Sequence, residues 1–393
     1  MIGVGMTPFV KIGSREWTYP EMAGAAVRDA LADAQVAYAD VQRAAAGFVF
    51  QPSAAGQRVL YDIGLTGLPV VNVTNNCATG STALMLAREW VAAGVADVAL
   101  ALGFEQMTKA AMAGPADGSR PAVTTVDRHQ QVMCERYEPG AAPLTTQFFG
   151  NAAIEHAKRY GTTAEQLAAV AVKNHEHSTR NPLAQFQQPY SLEQVLADKP
   201  VHGPLTRSQC SPMSDGAAAA VVASERFVRA HGLAAQAVEI VAQQLVTDDR
   251  SAFAGHSMID VVGAPMSRVA AQRALAEAGW TISDVDVIEL HDCFSINELI
   301  TYEALGLCGE GESGDLVETG ATTYGGQWVV NPSGGLISKG HPLGATGLAQ
   351  AAELSWQLRG DAGKRQVPGA RHALAHNLGL GGACVVTLYA GPA

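Results

Sequence analysis

The sequence has few cysteines for its length and no two of them in Cys-x-x-Cys spacing. Six in 393 residues are too sparse for a disulfide framework. Scattered free thiols are typical of a reducing compartment, and the C-terminal AGPA is not a Ser-Lys-Leu peroxisomal address. We therefore predict a cytoplasmic protein. The cysteines are at positions 77, 134, 210, 293, 308 and 384.

Long apolar runs and excess positive charge are also missing. Nowhere do 18 uncharged apolar residues occur together, and the N-terminus lacks a signal peptide pattern, so we predict no membrane span. The net charge is -11 and no basic stripe is visible. Because an acidic surface repels nucleic acid, we predict no nucleic-acid partner, and an anionic ligand would need local Lys or Arg.

Apolar strand-like runs alternate with Ala-rich helical runs along most of the chain. VALALGF at 98–104 and VDVIEL at 285–290 are typical of strands, whereas MAGAAVRDALADA at 22–34 and SRVAAQRALAEAG at 267–279 are typical of helices. This alternation indicates α/β layers. The length predicts two or three packed units, since domains average about 150 residues.

The interval from about 111 to 210 differs from the rest, because it is rich in Pro, Gln, His and Arg. Thr162-x-x-Glu165 and Ser191-x-x-Gln194 match the capping-box pattern and predict helix starts within it. We therefore predict an inserted loop domain that covers one face.

His175 and His177 are close in this interval. They lack HExxH spacing and a marked third ligand, so we predict a polar surface or loop feature rather than a metal site.

An internal repeat indicates two similar halves. CATGSTALMLAREW, starting at Cys77, and GATGLAQAAELSWQL, starting at Gly344, share Ala-Thr-Gly and continue as apolar helices. Each is followed by a strand that ends in glycine. The repeat predicts that the two helix starts meet at a pseudo-twofold axis.

Four motifs carry a family resemblance: NNCATG at 75–80, HDCFS at 291–295, GHPLGATG at 340–347 and NLGLGGA at 377–383. In order and approximate spacing they resemble the four active-site loops of the thiolase superfamily. HDCF is typical of the sterol-carrier-protein-type 3-ketoacyl-CoA thiolases. The resemblance extends over essentially the whole chain.

The resemblance implies the thiolase fold, in which two similar βαβαβαββ halves stack as αβαβα with an inserted loop domain. We assign residues 1–250, including the loop domain, to the N-terminal half and residues 251–393 to the C-terminal half. The chain would be the thiolase part only, without a lipid-carrier domain. A homodimer that buries the N-terminal sheet edges is implied, and a lipid-carrier or hydratase protein is a possible partner.

Cys77 is the predicted nucleophile, because it follows a strand-like run and precedes a helix. Most free cysteines pack in the core, but helix N-terminal amides and an imidazole can lower a thiol pKa from about 8.5 to roughly 3.5–7.5. Pro342 keeps the preceding His341 out of a helical conformation. By resemblance, His341 is the base that deprotonates Cys77.

Breaking a carbon-carbon bond needs a second acid/base, because an enolate has to be protonated. Most thiolases take it from a cysteine in the last loop, but Gly379 occupies that position, and the resemblance assigns the role to Cys293. It also implies two oxyanion holes, His291 with His341 for the enolate oxygen, and the backbone N–H groups of Cys77 and Gly381 for the tetrahedral intermediate.

Together these residues predict an acyltransferase that cleaves 3-ketoacyl-CoA with CoA through an acyl-Cys77 intermediate. Ser211 is the predicted pantetheine contact. Coenzyme A is a substrate, and we predict no cofactor and no metal. A condensing enzyme, a retro-aldolase subunit acting on CoA-linked side chains and a non-catalytic CoA-thioester-binding protein are the alternatives. The subfamily suggests branched or steroid side-chain substrates.

Overall fold

The computed structural model describes residues 1–107 and 124–392. No helix in these residues is both long and apolar enough to cross a membrane. The strands are β1 (Gly3–Met6), β2 (Val10–Lys11), β3 (Arg43–Gly47), β4 (Val70–Val73), β5 (Val98–Glu105), β6 (Pro200–His202), β7 (Leu205–Thr206), β8 (Ser214–Ala223), β9 (Glu239–Val246), β10 (Val287–Glu289), β11 (Val329–Val330), β12 (His372–Gly379) and β13 (Ala383–Ala390). The helices are α1 (Tyr19–Ala34), α2 (Ala55–Tyr61), α3 (Thr79–Ala92), α4 (Asp127–Arg136), α5 (Leu144–Tyr160), α6 (Ala164–Ser178), α7 (Leu192–Leu196), α8 (Glu225–Ala230), α9 (Ser251–Ala254), α10 (Met258–Val261), α11 (Ala264–Ala278), α12 (Ser295–Leu305), α13 (Ser313–Glu318) and α14 (Thr346–Arg359), with a π-helix at Gly335–Lys339.

Two mixed sheets repeat one topology. The first has the order β1-β8-β5-β3-β4, and the short strand β2 also pairs with β8, antiparallel to it. The second has the order β9-β13-β12-β10-β11, so each of its strands has a counterpart at the same place in the first. In the first sheet β3 pairs parallel with β4 and β5, and in the second β10 pairs parallel with β11 and β12. The last strand of each half, β8 or β13, pairs antiparallel with both of its neighbours in the strand order. The predicted internal repeat and thiolase fold are therefore confirmed.

The predicted division at residue 250 stays a prediction. The strand β9, which that division places in the N-terminal half, pairs with β13 in the second sheet. The chain therefore leaves the first sheet after β8 and enters the second before residue 250.

Helices α3 and α14 form the layer between the two sheets, because each contacts strands of both. α1 and α2 cover the outer face of the first sheet, and α11 covers that of the second. An ideal Cβ on Gly80 would lie 2.8 Å from the carbonyl oxygen of Gly344, and one on Gly347 would lie 2.5 Å from the backbone nitrogen of Ser81. The two Ala-Thr-Gly turns therefore meet as predicted, and only glycine permits that approach.

The segment between β5 and β8 is the predicted insertion, and its start at 111 lies outside the described residues. Its Ser191–Gln194 capping box is confirmed. The other predicted box is displaced by one residue, since Thr163 and Gln166 exchange the capping hydrogen bonds at 3.0 and 3.1 Å. Thr162 is buried instead, with its hydroxyl 2.5 Å from His156 Nδ1.

The prediction of a polar surface feature at His175 and His177 is wrong, because both are buried on α6. His175 Nδ1 lies 3.0 Å from Ser338 Oγ. His177 has Nδ1 3.0 Å from the carbonyl oxygen of Asn331 and Nε2 2.7 Å from Thr323 Oγ1. Burial lowers the pKa of His175 to about 4 and contributes most to lowering that of His177 to about 3. Both are neutral core histidines that tie α6 to the second half.

Candidate active site

One cavity of about 440 Å³ brings together the residues predicted from the motifs. Cys77, His291, Cys293, His341 and Ser211 all line it. The loops that carry them follow strands of both sheets, so the cavity depends on the docking of the two halves. The catalytic roles of these residues stay predictions, but their convergence is a property of the structure.

Cys77 lies in the turn between β4 and α3, two residues before the helix begins. Asn76 has a φ of 48°, a left-handed conformation that asparagine adopts more readily than most residues. Its amide donates to the carbonyl oxygen of Leu380 at 2.6 Å, and the Asn75 N–H donates to Thr79 Oγ1 at 2.7 Å. The turn is therefore held from both halves of the chain.

Hydrogen bonds fix which nitrogen of His341 is free. Its backbone N–H donates to Ser214 Oγ at 3.0 Å, and its Nδ1 lies 2.8 Å from Thr346 Oγ1. The Thr346 hydroxyl donates its single hydrogen to the carbonyl oxygen of Pro342 at 2.9 Å. It must therefore accept a hydrogen bond from Nδ1–H, which leaves a lone pair on Nε2. This is the tautomer that a base needs.

The expected lowering of the Cys77 pKa is wrong. Burial raises the pKa of its thiol to about 12, and the Glu105 carboxylate adds to the rise. Burial, assisted by the charge of Lys339, lowers the pKa of His341 to about 3. Desolvation therefore outweighs the helix start, because it penalises both charged forms. Burial therefore favours a neutral thiol at Cys77 and a neutral imidazole at His341.

Glu105, at the end of β5, joins two walls of the cavity. Its carboxylate accepts from the backbone N–H groups of Val49, Phe50 and Gly344 at 2.9 to 3.1 Å and from Gln51 Nε2 at 3.1 Å. Burial raises its pKa. Phe50 lines the cavity and Gly344 belongs to the loop of His341, so this one side chain positions both.

His291 and Cys293 follow β10, and the aspartate between them is a structural anchor. Asp292 accepts from the backbone N–H groups of Leu336 and Ile337 at 2.6 and 3.2 Å. It is fully buried, and burial contributes most to raising its pKa to about 7. This anchor fixes the loop on which His291 and Cys293, the neighbours of Asp292 on either side, line the cavity.

Cys293 has the properties of a proton donor. Burial raises its pKa well above the ordinary value, and the neighbouring thiols of Cys77 and Cys210 contribute. It is therefore protonated at neutral pH. Its carbonyl oxygen accepts from the Ser211 N–H at 2.9 Å, which holds the predicted pantetheine contact beside the predicted acid.

The last loop passes close to the Cys77 turn. An ideal Cβ on Gly379 would lie 2.2 Å from the carbonyl oxygen of Asn75, so this backbone leaves no room for a side chain there. Gly381 has a φ of 100° and follows Leu380, which lines the cavity. An oxyanion-hole role for the Gly381 N–H stays a prediction.

Apolar side chains from the insertion form much of the remaining wall. Pro143, Phe149 and Val201 line the cavity, and Phe149 stacks on Phe294 with ring centroids 4.7 Å apart. Such a lining suits an apolar ligand segment such as an acyl chain.

A basic groove of about 910 Å³ adjoins the cavity and shares Arg207, Pro212 and Met213 with it. Lys11 and Arg15 also line it, and none of its described lining residues is Asp or Glu. Arg207 pairs with Asp198 at 2.9 Å. On a chain with a net charge of -11, this groove supplies the local cations that an anionic ligand needs.

Cys77, His291 and His341 could also hold a metal ion. One ligand atom from each lies within 4.8 Å of the others, and a thiol with two imidazoles is a donor set that Zn²⁺ uses. The absence of a metal cofactor stays a prediction.

Several functional neighbours were missed from the sequence. Thr346, Ser214 and Glu105 act through hydrogen bonds, and Asn377 contacts His291. All four are buried polar residues in or beside apolar strands and helices, which is the signal that could have identified them.

Comparisons with known proteins agree with this architecture. The family described as "Thiolase, N-terminal domain" matches residues 1–195, and "Thiolase C-terminal domain-like" matches residues 250–389. Sterol carrier protein 2 of Bos taurus is 56% identical over 391 residues, which cover 99% of this chain and 71% of that protein. Acetyl-CoA acetyltransferase of Methanothermobacter thermautotrophicus is 37% identical over 395 residues, 99% of this chain and 98% of that protein.

Among solved structures, the Ltp2-ChsH2(DUF35) aldolase superposes with a TM-score of 0.83 at 24% identity and covers 100% of this chain and 97% of that chain. At this identity the likeness shows the fold alone. The two family matches and the sequence relatives show that the chain belongs to the thiolase family. The predicted resemblance to the sterol-carrier-protein-type members is confirmed, and family membership supports an acyltransferase activity.

Proposed function

We propose that this protein is a 3-ketoacyl-CoA thiolase, an acetyl-CoA C-acyltransferase. It would cleave a 3-ketoacyl-CoA with CoA to acetyl-CoA, or propionyl-CoA from a 2-methyl-branched substrate, and a shortened acyl-CoA. The observation that supports this proposal best is the convergence of the Cys77 and Cys293 thiols with the His291 and His341 imidazoles in one cavity. A lone nucleophile would suffice for simple acyl transfer, whereas carbon-carbon cleavage needs the second acid/base as well.

The proposed first half-reaction begins when Cys77 passes its proton to Nε2 of His341 as its sulfur attacks the ketone carbon. The bond between C2 and C3 breaks, and its electron pair forms the enolate of acetyl-CoA. The resulting imidazolium of His341 and the ring of His291 hold the enolate oxygen. Cys293 protonates C2, which releases acetyl-CoA and leaves the acyl group on Cys77.

In the second half-reaction, the thiolate of Cys293 takes the proton of an incoming CoA. The CoA sulfur attacks the acyl carbonyl while the N–H groups of Cys77 and Gly381 hold the oxyanion. Cys77 leaves as a thiolate and recovers its proton from His341. Both cysteines end protonated, so the cycle closes without a cofactor.

The binding of coenzyme A is part of the same proposal. Lys11, Arg15 and Arg207 line the groove beside the cavity and can meet its phosphates, while Ser211 contacts the pantetheine arm. We also propose a cytoplasmic location, because both catalytic thiols have to stay reduced. A lipid-carrier or hydratase partner would exchange CoA thioesters with this site.

A thiolysis assay tests the proposed activity. We expect purified protein to cleave linear, 2-methyl-branched or steroid side-chain 3-ketoacyl-CoA only when CoA is present, with both product thioesters detected by mass spectrometry. Cleavage of a 3-hydroxyacyl-CoA without added CoA would instead indicate a retro-aldolase. Binding of CoA thioesters without turnover of any of them would indicate a non-catalytic binding protein.

We further propose a homodimer that forms through β4, the edge strand of the first sheet. Val71 on β4 is 43% exposed and the nearby Leu65 is 80% exposed, whereas β11, at the same place in the second sheet, is buried. An exposed apolar edge strand is a template for pairing with a second copy.

Sedimentation should therefore give twice the chain mass of 40.9 kDa. Val71→Asp should weaken the dimer by about 100-fold, because like charges facing each other across an interface cost several kcal/mol. Leu196→Asp, which alters an exposed leucine on α7, is the matched control and should leave the dimer intact. A monomeric wild-type protein would refute the proposed interface.

A further inference from the structure

The second active-site imidazole, His291, is held by a relay that joins the two halves. Its Nδ1 lies 3.2 Å from Asn377 Nδ2, on β12. The other end of that amide, Oδ1, accepts from Ser81 Oγ on α3 at 3.0 Å. His291, Asn377 and Ser81 are all buried, with exposed fractions of 1%, 0% and 3%. These groups are therefore shielded from bulk solvent.

The relay determines the tautomer of His291. The Ser81 hydroxyl donates to the amide oxygen at one end of the relay, and the amide nitrogen faces the imidazole at the other. An amide nitrogen can only donate, which requires a lone pair on His291 Nδ1. Burial and the neighbouring His341 and His376 lower the pKa of His291 well below the ordinary value, so the ring is neutral. A neutral ring without a hydrogen on Nδ1 carries it on Nε2.

The imidazoles of His291 and His341 are therefore opposite tautomers in one cavity. Their ring centroids lie 5.1 Å apart at an interplanar angle of 83°. His341 keeps Nδ1–H toward Thr346 and has its lone pair on Nε2, whereas His291 keeps its lone pair toward Asn377 and has its hydrogen on Nε2. One ring is ready to accept a proton, and the other is ready to donate a hydrogen bond to an oxyanion.

We propose that Asn377, oriented by Ser81, is the positioning residue that keeps His291 as an Nε2–H donor to the enolate oxygen. The inference rests on the proposed function for its catalytic consequence, but the tautomer can be measured without turnover. Because Ser81 comes from the first half and Asn377 from the second, the donor forms only when the two halves dock correctly.

The direct test is ¹⁵N NMR of protein labelled in histidine, with the His291 signals assigned by their loss in His291→Asn. In the wild type we expect a protonated Nε2 and a bare Nδ1 at His291. In Asn377→Asp, a carboxylate oxygen replaces the donating nitrogen, so Nδ1 should become protonated. A bare Nε2 in the wild type would overturn the proposal, whether or not the protein turns over substrate.

Kinetics provide the second test. In Asn377→Asp, neutral His291 would present a lone pair of Nε2 to the enolate oxygen instead of a hydrogen. We therefore expect kcat to fall by about 10²- to 10³-fold, the loss typical of removing one oxyanion donor, and KM to change little. The carboxylate also raises the pKa of His291. Activity should therefore recover at low pH, where the imidazolium supplies Nε2–H, and fall as pH rises through that pKa.

Titratable groups around His291 can contribute to such a profile. They are Cys77, His341 and His376, with Asp292 and Cys293 in its own loop. Each of these groups is present in the wild type as well. Only a fall in activity with rising pH that occurs in Asn377→Asp and not in the wild type therefore supports the proposal. Identical pH profiles for the two proteins would contradict it.

Two further variants separate the relay from a loss of folding. Gln243→Glu places the same amide-to-acid change at another buried position, where Nε2 contacts Thr387 Oγ1 at 2.9 Å, and should leave the His291 signals unchanged. Ser81→Ala adds no charge and removes the donor that orients the amide. It should give His291 a mixture of tautomers, and an unaltered single tautomer would show that Ser81 does not orient Asn377.

Discussion

Replacing Cys77 with serine is expected to lower thiolysis by on the order of 10⁴- to 10⁶-fold, the range seen when a covalent nucleophile is removed. Wild-type protein exposed briefly to an acyl-CoA should carry the acyl mass on the peptide that contains Cys77, and the variant should carry none. Cys134→Ser, which alters an exposed cysteine, is the control and should change neither result. An acyl group on Cys293, or none during turnover, would contradict the assignment.

The raised pKa of Cys77 predicts how the rate of its alkylation depends on pH. Since the pKa is raised to about 12, the thiolate fraction and the rate of alkylation by iodoacetamide should rise about tenfold per pH unit from about pH 7 to about pH 10, without a plateau. A plateau near neutral pH would show that Cys77 and His341 already form a thiolate–imidazolium pair at rest. In that case, proton transfer would precede substrate binding.

Much of the site could be predicted because its signals are local. Cys77, His291, Cys293, His341 and Ser211 occur in short motifs that follow strand-like runs, and all five line one cavity. The strand and helix runs are equally local, since periodicity and composition mark them within a few residues. The repeated Ala-Thr-Gly turn then indicates which two helix starts meet.

The errors concern properties that depend on distant parts of the chain. The helix start beside Cys77 is visible in the sequence, but the desolvation that raises its pKa comes from walls contributed by both halves and the insertion. His175 and His177 look like a polar surface pair because the second half that buries them is more than a hundred residues away. The relay from Ser81 through Asn377 to His291 likewise joins residues whose proximity only the fold creates.

The displaced capping box has a more local cause. Thr162-x-x-Glu165 and Thr163-x-x-Gln166 match the same pattern, so the motif alone cannot select between them. The hydrogen bond from Thr162 to the buried His156 decides the register, and that contact belongs to the packing of the insertion.

Replacing Cys293 with alanine should separate the two chemical steps at this site. If Cys293 carries the proton at the α-carbon, the variant should slow carbon-acid chemistry by roughly 10²- to 10⁴-fold, the loss typical of a general acid/base. Acylation of Cys77 by a simple acyl-CoA forms no carbanion. This acylation still needs a proton for the departing CoA, and the reverse step needs a base for the attacking CoA thiol. At alkaline pH the free CoA thiol is already ionised, so the reverse step no longer needs that base.

The measurement follows both steps in one preparation. Deuterium uptake into the methyl group of acetyl-CoA in heavy water reports α-proton transfer, and exchange between acyl-CoA and labelled free CoA reports acylation of Cys77. In Cys293→Ala we expect deuterium uptake to collapse at every pH while the exchange recovers as pH rises. Cys308→Ala, which alters a partly buried cysteine outside the cavity lining, should leave both rates unchanged.

The high pKa of Cys293 makes this separation informative. A thiol that burial keeps protonated is a good donor to the enolate, but it can act as a base only after giving its proton to a departing group. The two half-reactions are therefore coupled through the protonation state of Cys293. The first leaves Cys293 as the thiolate that the second needs as a base, and the second restores the thiol that the first needs as an acid. Undiminished deuterium uptake in Cys293→Ala, or equal loss of both reactions at every pH, would assign the proton transfer elsewhere. His291 would then be the next candidate, since its ring faces the same cavity and Asn377 determines which of its nitrogens carries hydrogen.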